Sequence, residues 1–452
     1  MEGKVSGRRA ILRAGVAGAA ISALPLVNVH GQTSGGRMAI GLWDHWVGEP
    51  ANAEMRKIVG EWAAANRMEV QIDFITTVGN KNLLTIAAEA QAKRGHDILA
   101  FPTWEVHAQQ ELLEPVDDVV GRLSEKYGQM NSVVNYLSKV KGKYLGVPAI
   151  SGSQYKPSLG RIDLLKQHAG LDVQAMFPAE PRLGPGADAW NWDAFIKAAE
   201  ACQKAGVPFG MPYGTFPDAT DWLGALFASY GGTLVDEKGE LTIKTDGVKQ
   251  ALEMAARIGN VVPRDVFSWD DASNNRALIS GQSALVFNPP SAWSVASRDA
   301  PQVASQVWSF PSPSGPKGRF TPYLPYFWGV WNFGRNKTAA KALLEHMSQR
   351  EQAARMVQAS GGYDIPPFAS MTDFPTWAEV GPPKGVVYNY PIKPHHQAQP
   401  SIAFAPAPPE IAVQMYNQGI HAKMAARIVQ NKEPVDRVLA WAEREIEGFK
   451  RG

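Results

Sequence analysis

Residues Asp221 to Ile258 read DWLGALFASYGGTLVDEKGELTIKTDGVKQALEMAARI, and their grammar is helix, hairpin, helix. A run rich in Leu, Ala and Phe stops at Gly231-Gly232, where one glycine can take the left-handed conformation that frees the chain to turn. Leu234-Val235 and Leu241-Ile243 then flank Asp236-Glu237-Lys238-Gly239, with Gly239 suited to the positive-φ position of the turn. A second helix opens after Thr245-Asp246, and Val248, Ala251, Leu252 and Ala255 form its apolar stripe.

The chain around this stretch has 452 residues with 45% hydrophobic content, enough for two substantial lobes. Its formal charge of +2, with acids and bases interspersed, produces no field that would gather nucleic acid or an anionic membrane, so no nucleic-acid partner is expected. The single cysteine, Cys202, excludes an intramolecular disulfide and a thiolate metal cluster. It falls on the apolar stripe Phe195, Ala198, Ala199, Cys202 of a helix that Asn191 can cap, and is expected to be a buried small hydrophobe.

The N-terminus carries Arg8-Arg9, then Ala10-Ile11-Leu12-Arg13 and an apolar run from Ala14 to Val27, the three-part anatomy of a twin-arginine export signal. Ser22 and Pro25 interrupt that run, which is too short and too rich in Gly and Ala for a membrane span of ~20 apolar residues. Cleavage is expected before Gln32 or at Ala23, giving a periplasmic protein without its first 31 residues.

Further along, Met38–Leu42 reads as a strand ending at Trp43-Asp44-His45-Trp46. A helix with Met55, Ile58, Val59 and Trp62 on one face follows, then a strand with Val70, Ile72 and Phe74 alternating, and together these form a βαβ unit. Ligands of such sheets lie beyond the C-terminal strand ends, which makes Trp43, Asp44, His45 and Trp46 candidates. A helix over Lys81–Lys93 leads to a third strand, Gly95–Phe101, ending at Pro102-Thr103-Trp104-Glu105. Later come a helix over 192–204 and the segment Asn275–Asn288. Beyond these lie a strand at Tyr326–Trp331, a helix over 338–347, a capping box Ser348-Gln349-Arg350-Glu351, and terminal helices near 410–429 and 435–449.

The order of these motifs resembles the extracellular solute-binding proteins of bacterial ABC importers, in the carbohydrate branch similar to maltose-binding protein. The resemblance rests on the opening stretch, on Glu111–Asp118 after the third strand, on Gly142–Ala149, on Asn275–Asn288, and on Gly361–Pro367. The chain departs from the pattern at Ser151-Gly152-Ser153-Gln154-Tyr155, where a Tyr-Asn element is usual. The resemblance implies an α/β, two-lobe periplasmic-binding-protein fold with an interlobe cleft and several hinge crossings. Residues 37–152 with 318–364 would form the first lobe, and 153–317 with 365–452 the second. It also implies a monomer that closes around a sugar-like solute and delivers it to the permease subunits of the importer, without a cofactor.

On the same footing Thr103 and Trp104 become binding candidates, as do Asp221 and Trp222 at the cleft edge of the opening helix with Tyr213 and Asp218 behind them, and Trp293 after the Asn288 strand. Tyr326, Trp328 and Tyr363 complete the set at lobe-crossing segments. Flat indoles suit the C–H face of a pyranose, while Asp44, Asp221 and Asn288 can satisfy its hydroxyls, and the candidate loops hold little Arg for an anion. A glycosidase would need two carboxylates at a set separation, which no local motif provides. G-x-S-x-G, G-x-G-x-x-G and Walker sequences are missing, and His395-His396 has no spaced partner for a metal. The alternatives left open are an exported carbohydrate-active enzyme, a cofactor-bearing oxidoreductase, and a binding protein for a non-sugar solute.

Overall fold

A computed structural model describes residues 36–178, 183–270, 272–288, 291–379 and 407–451. The export signal, Pro289-Pro290 and His395-His396 lie outside the described residues. Among the described residues no helix is long and apolar enough to cross a membrane.

The first lobe is built on a five-stranded sheet in the order Glu69–Ile75, Arg37–Trp43, Ile98–Pro102, Tyr326–Val330, Val147–Pro148. The first three strands are parallel, with Trp43 opposite Ile75. Tyr326–Val330 runs antiparallel, with Tyr326 opposite Pro102. This register brings the C-terminal ends of the parallel strands and the N-terminal end of the fourth to one rim, so Trp43, Thr103 and Tyr326 arrive there together. The helix Glu49–Asn66 covers one face and buries Met55, Ile58, Val59 and Trp62, the expected stripe.

The second lobe holds a three-stranded antiparallel sheet, Val307–Phe310, Ser158–Arg161, Leu285–Phe287. Around it pack the helices Trp192–Lys204, Pro217–Ser229 and Asp246–Asn260. Asn191 caps the first of these by accepting from the Ala194 N–H at 2.9 Å, and Cys202 is buried against its neighbours. The opening stretch has the expected form: a helix ending at Ser229, a Val235–Leu241 bridge closed around Asp236, and a helix from Asp246. Two of the segments that cross between the lobes pair as a two-stranded ladder, with Tyr323 and Leu324 opposite Tyr155 and Gln154.

Three expectations need correction. The single terminal helix near 410–429 is two helices, Pro409–Asn417 and Ile420–Val429, because Gly419 takes a left-handed conformation (φ 60°) and turns the axis. There the backbone approaches Thr215 so closely that a Cβ on Gly419 would meet its methyl at 2.9 Å. The Pro409–Asn417 helix does not belong to the second lobe alone. It packs on the short helix Glu105–Ala108 of the first, and Asn417 donates to Glu105 across that contact at 2.8 Å. Residues placed with the second lobe after 364 also pack elsewhere: Phe368, Met371, Phe374 and Trp377 join the core of the five-stranded sheet. Finally, the helix Arg350–Ala359 starts from Gln349 without a side-chain cap, and the buried Ser348 hydroxyl has no partner, so the capping box does not form.

Candidate functional site

The sheet rim of the first lobe and the helix edge of the second enclose a cavity lined from both sides. It continues outward past Asn80, Thr215 and Phe216 into a more open compartment bordered by Phe267, Trp269 and Asp270.

On the first lobe, Trp43 and Tyr326 stand side by side with ring centroids 5.3 Å apart, and Trp46 flanks them half-buried. Thr103 follows the strand Ile98–Pro102 in a left-handed conformation (φ 43°), a costly state for a β-branched residue, held by its N–H donating to Pro325 at 2.9 Å. Asn80, Asn82 and Glu105 complete this side. Burial holds the Glu105 carboxyl above the usual carboxylate range, against bonds from Asn417 and Gln109 that pull it down.

The second wall is electrostatic. Pro217 opens the helix Pro217–Ser229 at a position where its missing N–H costs nothing, and Asp218 in the first turn and Asp221 three residues on share one face. Both grip Lys156, which comes off the lobe-crossing strand. Its Nζ lies 2.7 Å from Asp218 Oδ1 and 2.5 Å from Asp221 Oδ2. Burial alone would lower the lysine's pKa, but the two carboxylates outweigh it and hold the ammonium above its ordinary value. Asp221 is pushed up by burial despite the lysine, and accepts a further bond from the Tyr416 hydroxyl at 3.0 Å. Asp218 accepts from Asn274 at 2.8 Å on its other oxygen, while Asn288, Asn275 and Ser291 form a hydrogen-bonded cluster beside it.

Of the residues singled out from the sequence, Trp43, Trp46, Thr103, Asp218, Asn288 and Tyr326 line this cavity. The others do not. Asp221 was expected to face the cleft; it is fully buried behind Asp218 and turned to Lys156 and Tyr416. Trp222 was expected beside it, but belongs to the second lobe's core, where its indole donates to Pro212 at 2.6 Å and meets Tyr213 edge-on. Tyr213 is itself a core residue whose hydroxyl donates to Ala255 at 2.7 Å. Trp104, fully buried, packs edge-on against Tyr136 and His107, and Trp293 sits in the same core on the helix Ser291–Asp299. Trp328 and Tyr363 lie in the core of the first lobe.

Asp44 and His45 organise the loop after the first strand. Asp44 accepts from Asn52, whose own oxygen takes the His45 N–H. Because the Val47 N–H donates to His45 Nδ1, the ring hydrogen is on Nε2 and reaches Asp364, 3.1 Å away. Asp364 in turn accepts from the Gly152 N–H at 2.7 Å, tying the loop to the lobe crossings.

Residues that the sequence reading passed over are Lys156, Gln154, Glu105, Asn80, Asn82, Phe216, Tyr416 and Asn417. Lys156 alone had a signal, in two aspartates three apart on one helical face, a pair that calls for a cation once it is buried. Among the described residues no cluster of three or more His, Cys, Asp or Glu side chains is placed to hold a metal ion.

Two mixed lobes, a paired crossing and a cavity lined from both sides define a two-lobe binding protein. A model of the bacterial extracellular solute-binding proteins matches residues 68–381, and the chain belongs to that family. No curated protein matches it by sequence. Solved structures share the fold at low identity. The maltose-bound MalE3 of T. maritima is 17% identical with a TM-score of 0.73, over 91% of this chain and 99% of that one. The GacH receptor of Streptomyces glaucescens, solved unliganded and with acarbose, is 18% identical with a TM-score of 0.69, over 91% and 98%. A sugar transporter protein of Arthrobacter chlorophenolicus with bound laminaribiose is 16% identical with a TM-score of 0.70, over 92% and 99%.

Proposed function

We propose that the protein is the periplasmic solute-binding component of an ABC importer, exported by the twin-arginine route as a monomer, which closes on a sugar or sugar-like solute and hands it to the permease. The observation that carries this reading is the pairing of an aromatic wall, Trp43, Trp46 and Tyr326, with a hydrogen-bonding wall, Asp218, Asn288 and Gln154, across one cavity. Rings of that kind cover the C–H face of a pyranose, and a few polar groups orient its hydroxyls. The bound maltose, acarbose and laminaribiose of structures sharing the fold support a sugar, and the outer compartment beside Trp269 leaves room for more than one ring. Because the two walls belong to different lobes, a solute touching both favours the closed arrangement by its differential affinity, with Gln154–Tyr155 and Tyr323–Leu324 as the bending ladder. The enzyme alternative gains nothing from the second wall, since Asp218 and Asp221 share one lysine on one helical turn instead of facing each other across a bond.

Titration of intrinsic tryptophan fluorescence with neutral mono- and oligosaccharides tests the reading. The expected result is a saturable change at one solute per chain, weakened in Trp43→Ala and Trp46→Ala, with no product released on long incubation. Saturation by no sugar, or release of a cleaved product, overturns it.

A further inference from the structure

The ionisable side chains lining the cavity are unequal, with the Asp218 and Glu105 carboxyls against the Lys156 ammonium. Lys156, the one basic side chain among the described lining residues, gives its protons to Asp218 and Asp221. Tyr416 gives its hydroxyl proton to Asp221, Asn417 an amide proton to Glu105, and Asn288 an amide proton to Asn275. These protons are therefore committed to the protein's own acceptors. Acceptor capacity remains in the further lone pairs of the Asp218 and Glu105 carboxylates, and in Gln154 Oε1, whose residue is 2% exposed and has no partner for that oxygen. Trp43 Nε1 is a further buried lining group without a partner, and a hydroxyl oxygen suits it.

A buried acceptor without a donor costs ~1–3 kcal/mol, so a complementary solute brings a donor to it. A hydroxyl brings one proton. A protonated amine brings three together with a positive charge, which two lining carboxylates against one shared ammonium leave welcome. The half-buried indole of Trp46 on the other wall also favours a cation. A carboxylate or phosphate on the solute would meet like charge and find no free basic group.

Resting on the sugar reading above, we propose that the solute is an amino-bearing sugar whose ammonium is taken by the surplus acceptors Asp218, Glu105 and Gln154, and that the cleft rejects the corresponding sugar acids. Calorimetric titration of the full mature chain with matched pairs tests this: glucose and glucosamine, galactose and galactosamine, mannose and mannosamine, cellobiose and the β-1,4 dimer of glucosamine, with glucuronate and galacturonate as acids. In the pairs that bind, the amine is expected to bind about tenfold or more tightly than its neutral partner, as a charge-assisted hydrogen bond would give. Glu105→Gln shrinks that advantage while changing the neutral partner's affinity less, and Gln154→Ala serves the same purpose should Glu105→Gln fail to fold. Neutral partners binding equally or better, acids binding comparably, or an advantage undiminished in these variants overturns the inference and leaves the sugar reading standing. Failure of every pair to bind removes both.

Discussion

The two walls of the cleft are made in opposite ways. On the first lobe, Trp43, Thr103 and Tyr326 stand at the rim because strand register ends there, and the ladder that puts them in place is backbone. On the second, Asp218 and Asp221 are held by a salt link to Lys156, which directly follows the crossing strand Gln154–Tyr155 and lies 65 positions from Asp221. One wall is positioned by hydrogen bonds that survive side-chain substitution, the other by the side chains themselves. The first should therefore lose affinity without losing stability, and the second should lose both together.

The largest test removes the lysine. Lys156→Met leaves two carboxylates buried against each other, and breaking a buried pair by deleting one partner costs ~3–5 kcal/mol. Denaturant unfolding should show a loss of that size with binding abolished, and adding Asp221→Asn should return a large part of the stability, because the second uncompensated charge is gone. Wild-type stability in Lys156→Met would mean that the second wall is held by something else.

A paired substitution separates the tryptophans that the sequence treated alike. Trp222→Phe should cost ~2 kcal/mol through lost ring contacts and an orphaned Pro212 carbonyl, with affinity little changed, because the indole lies in the core. Trp46→Ala should cost ~1 kcal/mol of binding, a stacking contact, with an almost unchanged melting temperature. Reversal of this pattern would break the distinction between the walls.

That distinction marks how far the sequence was legible. Period-2 and period-3.6 patterns located the first lobe's strands and the helix Glu49–Asn66, and strand ends are where the cleft lies, so Trp43 and Trp46 could be placed. The edge of a helix carries less information. Asp221 and Trp222 are separated by roughly 100° around the axis, on either side of the direction of Asp218, and nothing local says which side meets solvent or core. Tertiary partners decided it: Lys156 drew Asp221 inward, and Pro212 took the indole. The C-terminal helices were misread for another reason. A lone Gly in a helical pattern is tolerated, so the break at Gly419, and with it the arrival of Tyr416 and Asn417 at the site, depended on the close approach to Thr215.

The smallest effect bears on where the walls touch. Glu105 belongs to the first lobe but is bonded to Asn417 of the terminal helices, and burial raises its carboxyl pKa above the unfolded value. A group raised on folding binds its proton more tightly in the folded chain, so its contribution is fully present below the unfolded carboxylate range and is lost as pH rises through the folded value. Unfolding followed from pH 4 to 8 should therefore show the unliganded wild type losing ground to Glu105→Gln as pH increases, since the amide keeps the bond from Asn417 and never ionises. The slope should disappear in the variant. A difference that is flat with pH would mean that Glu105 is solvated through the open cleft, and the contact between the walls would then be weaker than its 2.8 Å bond implies.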